Sequence, residues 1–221
     1  MKRQENLDYL ANAVGHNKKM FDSLYALFFR NGSDIEACAK IAYRDLQRNL
    51  GGIGTNEAAR EGFINGVVRC IGKQIEGLLA MGRHMEEDQF NTWHSSTCVM
   101  ILDISQRINP HLKRAFTYGL AQKWLNMTLK TMLVAEKEKW WECLDETREC
   151  LHVPVDRYII AAAHDGLGIR DENKKKYPSA WSKWDDKLYI DFQTRVRKAV
   201  RARDDYTCPI DWEFDTWISF K

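Results

Sequence analysis

Residues 110–136 read PHLKRAFTYGLAQKWLNMTLKTMLVAE, and the pattern divides at Gly119. A short helix-like segment runs from 110 to 118, and a helical pattern follows to about 136, giving helix, tight turn, helix. A glycine at such a turn lets backbone N–H groups come close to an anion, and the first turn of the second helix adds partial positive charge. A hairpin of this kind can hold a phosphate backbone without reading base sequence.

The rest of the chain extends the helical pattern in both directions. Only four prolines occur, at 110, 154, 178 and 209, so the segments between them can form long helices without interior breaks. After Thr55, the residues Ile64, Val67, Val68, Ile71, Ile75, Leu78 and Leu79 recur at three- and four-residue steps, the apolar stripe of an amphipathic helix. Gly51, Gly52 and Gly54 mark its start. Ser33-Asp-Ile-Glu36 has the form of a capping box and Ser182-Lys-Trp-Asp185 is an acidic variant, so helices are expected to begin near 34 and 183. Expected helices cover 5–30, 34–49, 56–81, 86–107, 111–117, 121–136, 138–150, 156–165 and 183–203, with no sustained strand-like alternation against them. The fold class is therefore all-α. The stretch DENKKKY at 171–177 reads as an exposed loop ahead of a C-terminal helix, and GGIGT at 51–55, which lacks the ending of a phosphate-binding P-loop, as a turn between helices.

A chain of 221 residues with 44% hydrophobic content can bury a substantial core, and one compact unit is expected. The 33 basic and 31 acidic side chains leave a formal charge of +2, which excludes a strong overall electrostatic attraction to nucleic acid. Contact with DNA would come from local patches, such as Lys113 with Arg114, or Arg195, Arg197, Lys198, Arg201 and Arg203, which read equally as solvated helix faces. No stretch approaches the roughly 20 apolar residues of a membrane helix, and MKRQENLDYL lacks the apolar centre of a signal peptide, so a cytoplasmic protein without a membrane partner is expected. The six cysteines form no CxxC pair, so neither a zinc knuckle nor a disulfide framework is indicated, and no metal or cofactor is expected.

The segment Gly119-Leu-Ala121-Gln122-Lys123-Trp-Leu-Asn126 resembles the hairpin of the helix-hairpin-helix DNA glycosylase superfamily, in which a lysine opens the second helix. Ala121 stands where that hairpin has its second glycine. Downstream, His152-Val-Pro-Val-Asp156-Arg-Tyr-Ile159 is similar to the segment that carries the family's catalytic aspartate, with Tyr158 at the usual histidine position. The interval between Lys123 and Asp156 is longer than in endonuclease III and resembles that of the archaeal 8-oxoguanine DNA glycosylase branch. The resemblance covers residues 116–160. It implies two helical lobes flanking a cleft within a single unit: lobe A of about 35–135, including hairpin 111–136, and lobe B of about 1–34 plus 136–221. It further implies a monomeric enzyme that flips a damaged or modified base out of double-stranded DNA, with oxidised guanine the first substrate expected. Lys123 would attack the sugar C1′ and Asp156 would stabilise the cationic sugar, with strand cleavage able to follow. Gly119, Ala121, Gln122, Asn126 and Arg114 would hold the DNA. The endonuclease III group carries a four-cysteine iron–sulfur cluster, but only Cys208 lies beyond Asp156 here, so no cluster is implied.

The residues themselves leave other readings open. A lysine on an amphipathic helix is commonly a solvated-face residue, and an aspartate that begins a helix is commonly its cap. Gln122 and Asn126 could serve local capping, and His152 a structural role. Trp140, Trp141, Trp181 and Trp184 fit either base platforms or a packed core. At the level of function the alternatives are a monofunctional glycosylase acting on modified bases such as those of phage genomes, a non-catalytic helical DNA-binding protein, and an unrelated helical interaction protein.

Overall fold

The computed structural model describes residues 34–50, 57–81, 85–108, 115–135 and 138–219, and its regular secondary structure is entirely helical. Among the described residues there are eight α-helices: α1 Ile35–Leu46, α2 Glu57–Ala80, α3 Glu87–Ile108, α4 Tyr118–Ala135, α5 Glu138–Thr147, α6 Arg157–Gly166, α7 Asp186–Arg201 and α8 Pro209–Ser219. Three single 3-10 turns accompany them, at Gln47–Asn49, Arg148–Cys150 and Trp181–Lys183. The expected helix at 5–30 and the glycine cluster at 51–55 lie outside the described residues. None of the described helices is long and apolar enough to cross a membrane.

The helix α4 occupies the centre, packed against α1, α3, α7 and the turn at 181–183. Unlike a surface helix with one apolar stripe, it is buried on nearly every side. Trp124 is fully enclosed by Tyr43, Phe63 and Phe116, and its indole N–H donates to the Ala39 carbonyl at 2.8 Å. A helix so placed cannot send its polar side chains to water, so Gln122, Lys123, Asn126, Thr128 and Lys130 must all find partners inside the protein. That requirement builds the site described below.

Local chemistry sets the helix starts. Asp34 accepts the Ala37 amide at 2.6 Å, and Asp185 accepts that of Leu188 at 2.9 Å, each reaching the third residue of its helix as an N-cap does. The acidic residue inside each expected box is thus the cap, and α7 begins at 186 instead of 183, with 181–183 a separate turn. In α2 the apolar stripe forms as expected, with Val67, Val68, Ile71, Ile75 and Leu78 buried. The helix α8 was not anticipated; it opens with Pro209 in its first turn, where a missing N–H costs nothing.

The chain around Gly119 differs from the expected turn. Residues 115–117 are not helical, and Gly119 lies in the first turn of α4, which starts three residues before the expected 121. Thr117 starts the helix: its Oγ1 accepts the Leu120 amide at 3.3 Å and its carbonyl that of Ala121 at 3.0 Å. Glycine is needed at 119 for another reason. A Cβ there would run into the Trp181 carbonyl oxygen and the Ser182 backbone, and the Gly119 N–H donates to the Trp184 carbonyl at 3.1 Å. The Thr117 hydroxyl also donates to the Ser182 carbonyl, so α4 and the 181–184 segment meet backbone to backbone.

Candidate active site

Lys123 and Asp156 come from elements 33 residues apart and meet at 3.0 Å, Nζ to Oδ2. Lys123, in the second turn of α4, is 8% exposed and also donates to the Pro154 carbonyl at 3.3 Å, so two acceptors aim its Nζ. Asp156 is the N-cap of α6. Its Oδ1 accepts the amides of Tyr158 and Ile159 at 2.9 and 3.0 Å, which leaves Oδ2 to the lysine. Cap and ion pair, offered by the sequence as rival readings, are therefore both true of this residue, one oxygen each. Burial pushes the Asp156 carboxyl up, but the Lys123 ammonium and the two helix amides outweigh it and hold the group below the usual carboxylate range. The outcome is a fixed, ionised carboxylate touching a nearly buried amine.

The segment 151–156 reaches this position as a strap outside the helices. Pro154 fixes its own φ and biases Val153 towards extended backbone. The side chains of Val153 and Val155 are fully buried. Beneath the strap lies a polar network in which every bond has an assignable direction. His94 Nε2 donates to Asn126 Oδ1 at 2.9 Å, and Asn126 Nδ2 donates to Gln122 Oε1 at 3.0 Å and to the Tyr189 hydroxyl at 2.7 Å. The Tyr189 hydroxyl donates to His152 Nδ1 at 2.9 Å, and His152 Nε2 donates to Asn91 Oδ1 at 2.8 Å. His94 Nδ1 faces the Cys98 thiol at 3.8 Å, so each imidazole has one nitrogen that donates and one left to accept, which is the neutral form. Burial, reinforced by the Arg197 charge against a weaker opposing bond from Asn126, brings His94 down to about 4. His152 is lowered well below its ordinary value by burial and by its neighbours His94 and Arg197.

A second buried pair lies two turns further along α4. Lys130 Nζ donates to Glu213 Oε1 at 2.8 Å and sits over the rings of Phe214 and Trp217 at 4.6 and 5.0 Å. Burial lowers the Lys130 pKa, the Glu213 carboxylate opposes it, and the charges of Lys123 and Asp156 reach it as well, so the two pairs form one electrostatic cluster. The seven-residue spacing of Lys123 and Lys130 was open to inspection as one face of a helix. Their partner on α8 carried no such signal. On the surface, exposed Arg157 stacks on Tyr158 at 4.6 Å and donates to its hydroxyl at 2.6 Å, next to Asp156 in the chain.

The residues expected to grip DNA are placed differently. Ala121, Gln122 and Asn126 are buried, and the Gln122 side-chain amide donates to the Gly119 carbonyl at 2.8 Å. The all-round burial of α4 turns them inward, and the Gly119 amide is already engaged with Trp184. Arg114 lies outside the described residues, as do the side chains of Trp140 and Trp141. Trp181 and Trp184 are packed in the core, while Arg197 is buried against Glu87 at 2.5 Å. No protein-family model, curated protein or solved structure matches the chain.

Proposed function

We propose that this chain is a DNA glycosylase that removes a damaged or modified base, with Lys123 as nucleophile and Asp156 as its electrostatic partner. The observation that carries the proposal is the 3.0 Å contact between a nearly buried lysine and a capped, ionised aspartate within the two segments that resemble the family. In the reaction, the Lys123 ammonium first gives up a proton to solvent water, which supplies the one the departing base takes up. Its nitrogen then bonds to C1′ as the C1′–N bond breaks, the electron pair leaving with the base, which takes up a proton. Positive charge builds on the sugar during this step, and an ionised carboxylate in a water-poor site stabilises it. Opening of the C1′–O4′ bond gives an iminium between Lys123 and C1′. Removal of a C2′ proton then expels the 3′ phosphate, which is strand cleavage.

Oxidised guanine is the first substrate proposed, on the resemblance to the archaeal branch. The exposed Arg157 and Tyr158 are the groups beside Asp156 suited to the DNA backbone. The two-lobed cleft belongs to the same proposal. It is tested by incubating the protein with duplexes that each carry one damaged or modified base, with and without borohydride. A trapped complex together with base release on at least one duplex is the expected result. Base release without trapping would make the enzyme monofunctional and remove Lys123 from the nucleophile role, and neither product on any duplex would overturn the proposal.

A further inference from the structure

We infer that Gln193 is a positioning residue: its side-chain amide clamps the backbone of the strap and thereby sets where the Asp156 carboxylate meets Lys123. Gln193 lies on α7 and is 2% exposed. Its Nε2 donates to the Val153 carbonyl at 2.8 Å and its Oε1 accepts the Val153 amide at 3.1 Å, so one side chain takes up both polar groups of one residue, as a neighbouring strand would. Val153 has no such strand. Asn126 makes only a long contact to the same carbonyl, at 3.5 Å.

The lever from this clamp to the site is short and stiff. Three residue steps, at most roughly 10 Å, separate Val153 from Asp156, and Pro154 removes one torsion from that span. The flanking valines are buried, so the strap cannot pivot without unpacking. On the far side of Asp156 the chain is held by α6, whose first amides the same carboxylate caps. Asp156 is thus fixed from downstream by its own helix and from upstream by Gln193. Gln193 is within hydrogen-bond distance of neither Lys123 nor Asp156 in any of its bonds, so its loss leaves the chemistry of the pair intact and changes only its placement. Displacement by about 1 Å can cost on the order of 100-fold in rate.

The inference rests on the glycosylase reading, and the test separates the two. Gln193→Met keeps volume and apolar packing while removing both hydrogen bonds. Single-turnover base release at saturating enzyme is compared with duplex Kd, and amide hydrogen exchange at Val153 is followed in parallel. The expected result is a rate on the order of 10- to 100-fold lower, with Kd within about twofold and faster exchange at Val153 in a protein that still melts cooperatively. A wild-type rate at saturation in a variant whose Val153 amide has lost its protection would overturn the positioning role. So would a loss of affinity with the rate at saturation unchanged. If wild-type protein releases no base from any duplex, the glycosylase reading itself fails and takes the inference with it.

Discussion

At the scale of single residues, the charge of Asp156 and the shape of its carboxyl group do separate work. Asparagine caps helices about as well as aspartate, so Asp156→Asn keeps the α6 start and removes the negative charge facing Lys123. Base release by that variant is expected to fall on the order of 100-fold or more in single-turnover assays while α6 stays folded. Asp156→Ala loses the cap in addition and is expected to be less stable than Asp156→Asn by about 1 kcal/mol in urea denaturation. Two of the buried histidines, His94 and His152, set a pH limit. His94 has an ordinary value of 6.5 and falls to about 4 in the fold. Between those values the unfolded chain binds a proton that the folded chain refuses, so stability is full above about 6.5 and is lost as pH falls towards about 4. The loss is roughly 3 kcal/mol for His94, and His152 shifts in the same direction. Urea midpoints measured at about pH 7 and about pH 4.5 are expected to show this fall, and His94→Gln should flatten it.

At the scale of elements, what was legible in the sequence was local. The stripe of α2 and the cap at Asp156 depend on residues within one or two turns, and both are found in place. Gly119 was misread because a glycine opening a helix and a glycine in a turn have the same neighbours in sequence; the decisive contact, the Trp181 carbonyl, is 62 positions away. Gly119→Ala separates the two roles. Alanine favours a helix by about 1 kcal/mol, but here its Cβ meets backbone that cannot rotate away, and overpacking of this kind costs about 1–3 kcal/mol. The expected outcome is a lower denaturation midpoint with DNA affinity unchanged once the protein is folded. Unchanged stability with weakened DNA binding would restore the phosphate-binding turn. The helix α8 escaped notice for a related reason. Its polar residues face inward to partners on distant elements, Glu213 to Lys130 and Asp211 to Arg148, and no nearby residue announces them.

At the scale of the whole molecule, the near balance of charge is partly spent inside. Two ion pairs, Lys123 with Asp156 and Lys130 with Glu213, bring the later helices onto α4, and a third, Arg148 with Asp211, ties α8 to the turn at 148–150. Such pairs stabilise little when compared with apolar replacements, yet breaking one by removing a single partner is costly, so they specify which surfaces meet. Two of the three stand on one face of α4, so the central helix carries both core packing and the candidate site. The all-α class could be anticipated from the spaced prolines and apolar stripes of the whole chain, and the meeting of Lys123 with Asp156 from the resemblance of residues 116–160; the burial of Gln122 and Asn126 could not, because it follows from helices packed on every side of α4. The central claim is that Lys123 forms a bond to C1′ of DNA. It is tested most directly by reducing the reaction with borohydride on a duplex that supports base release, digesting the product and locating the adduct by mass spectrometry. A DNA remnant on the peptide containing Lys123, absent from Lys123→Ala, is the predicted result; an adduct on another amine, or equal trapping by Lys123→Ala, would contradict the account.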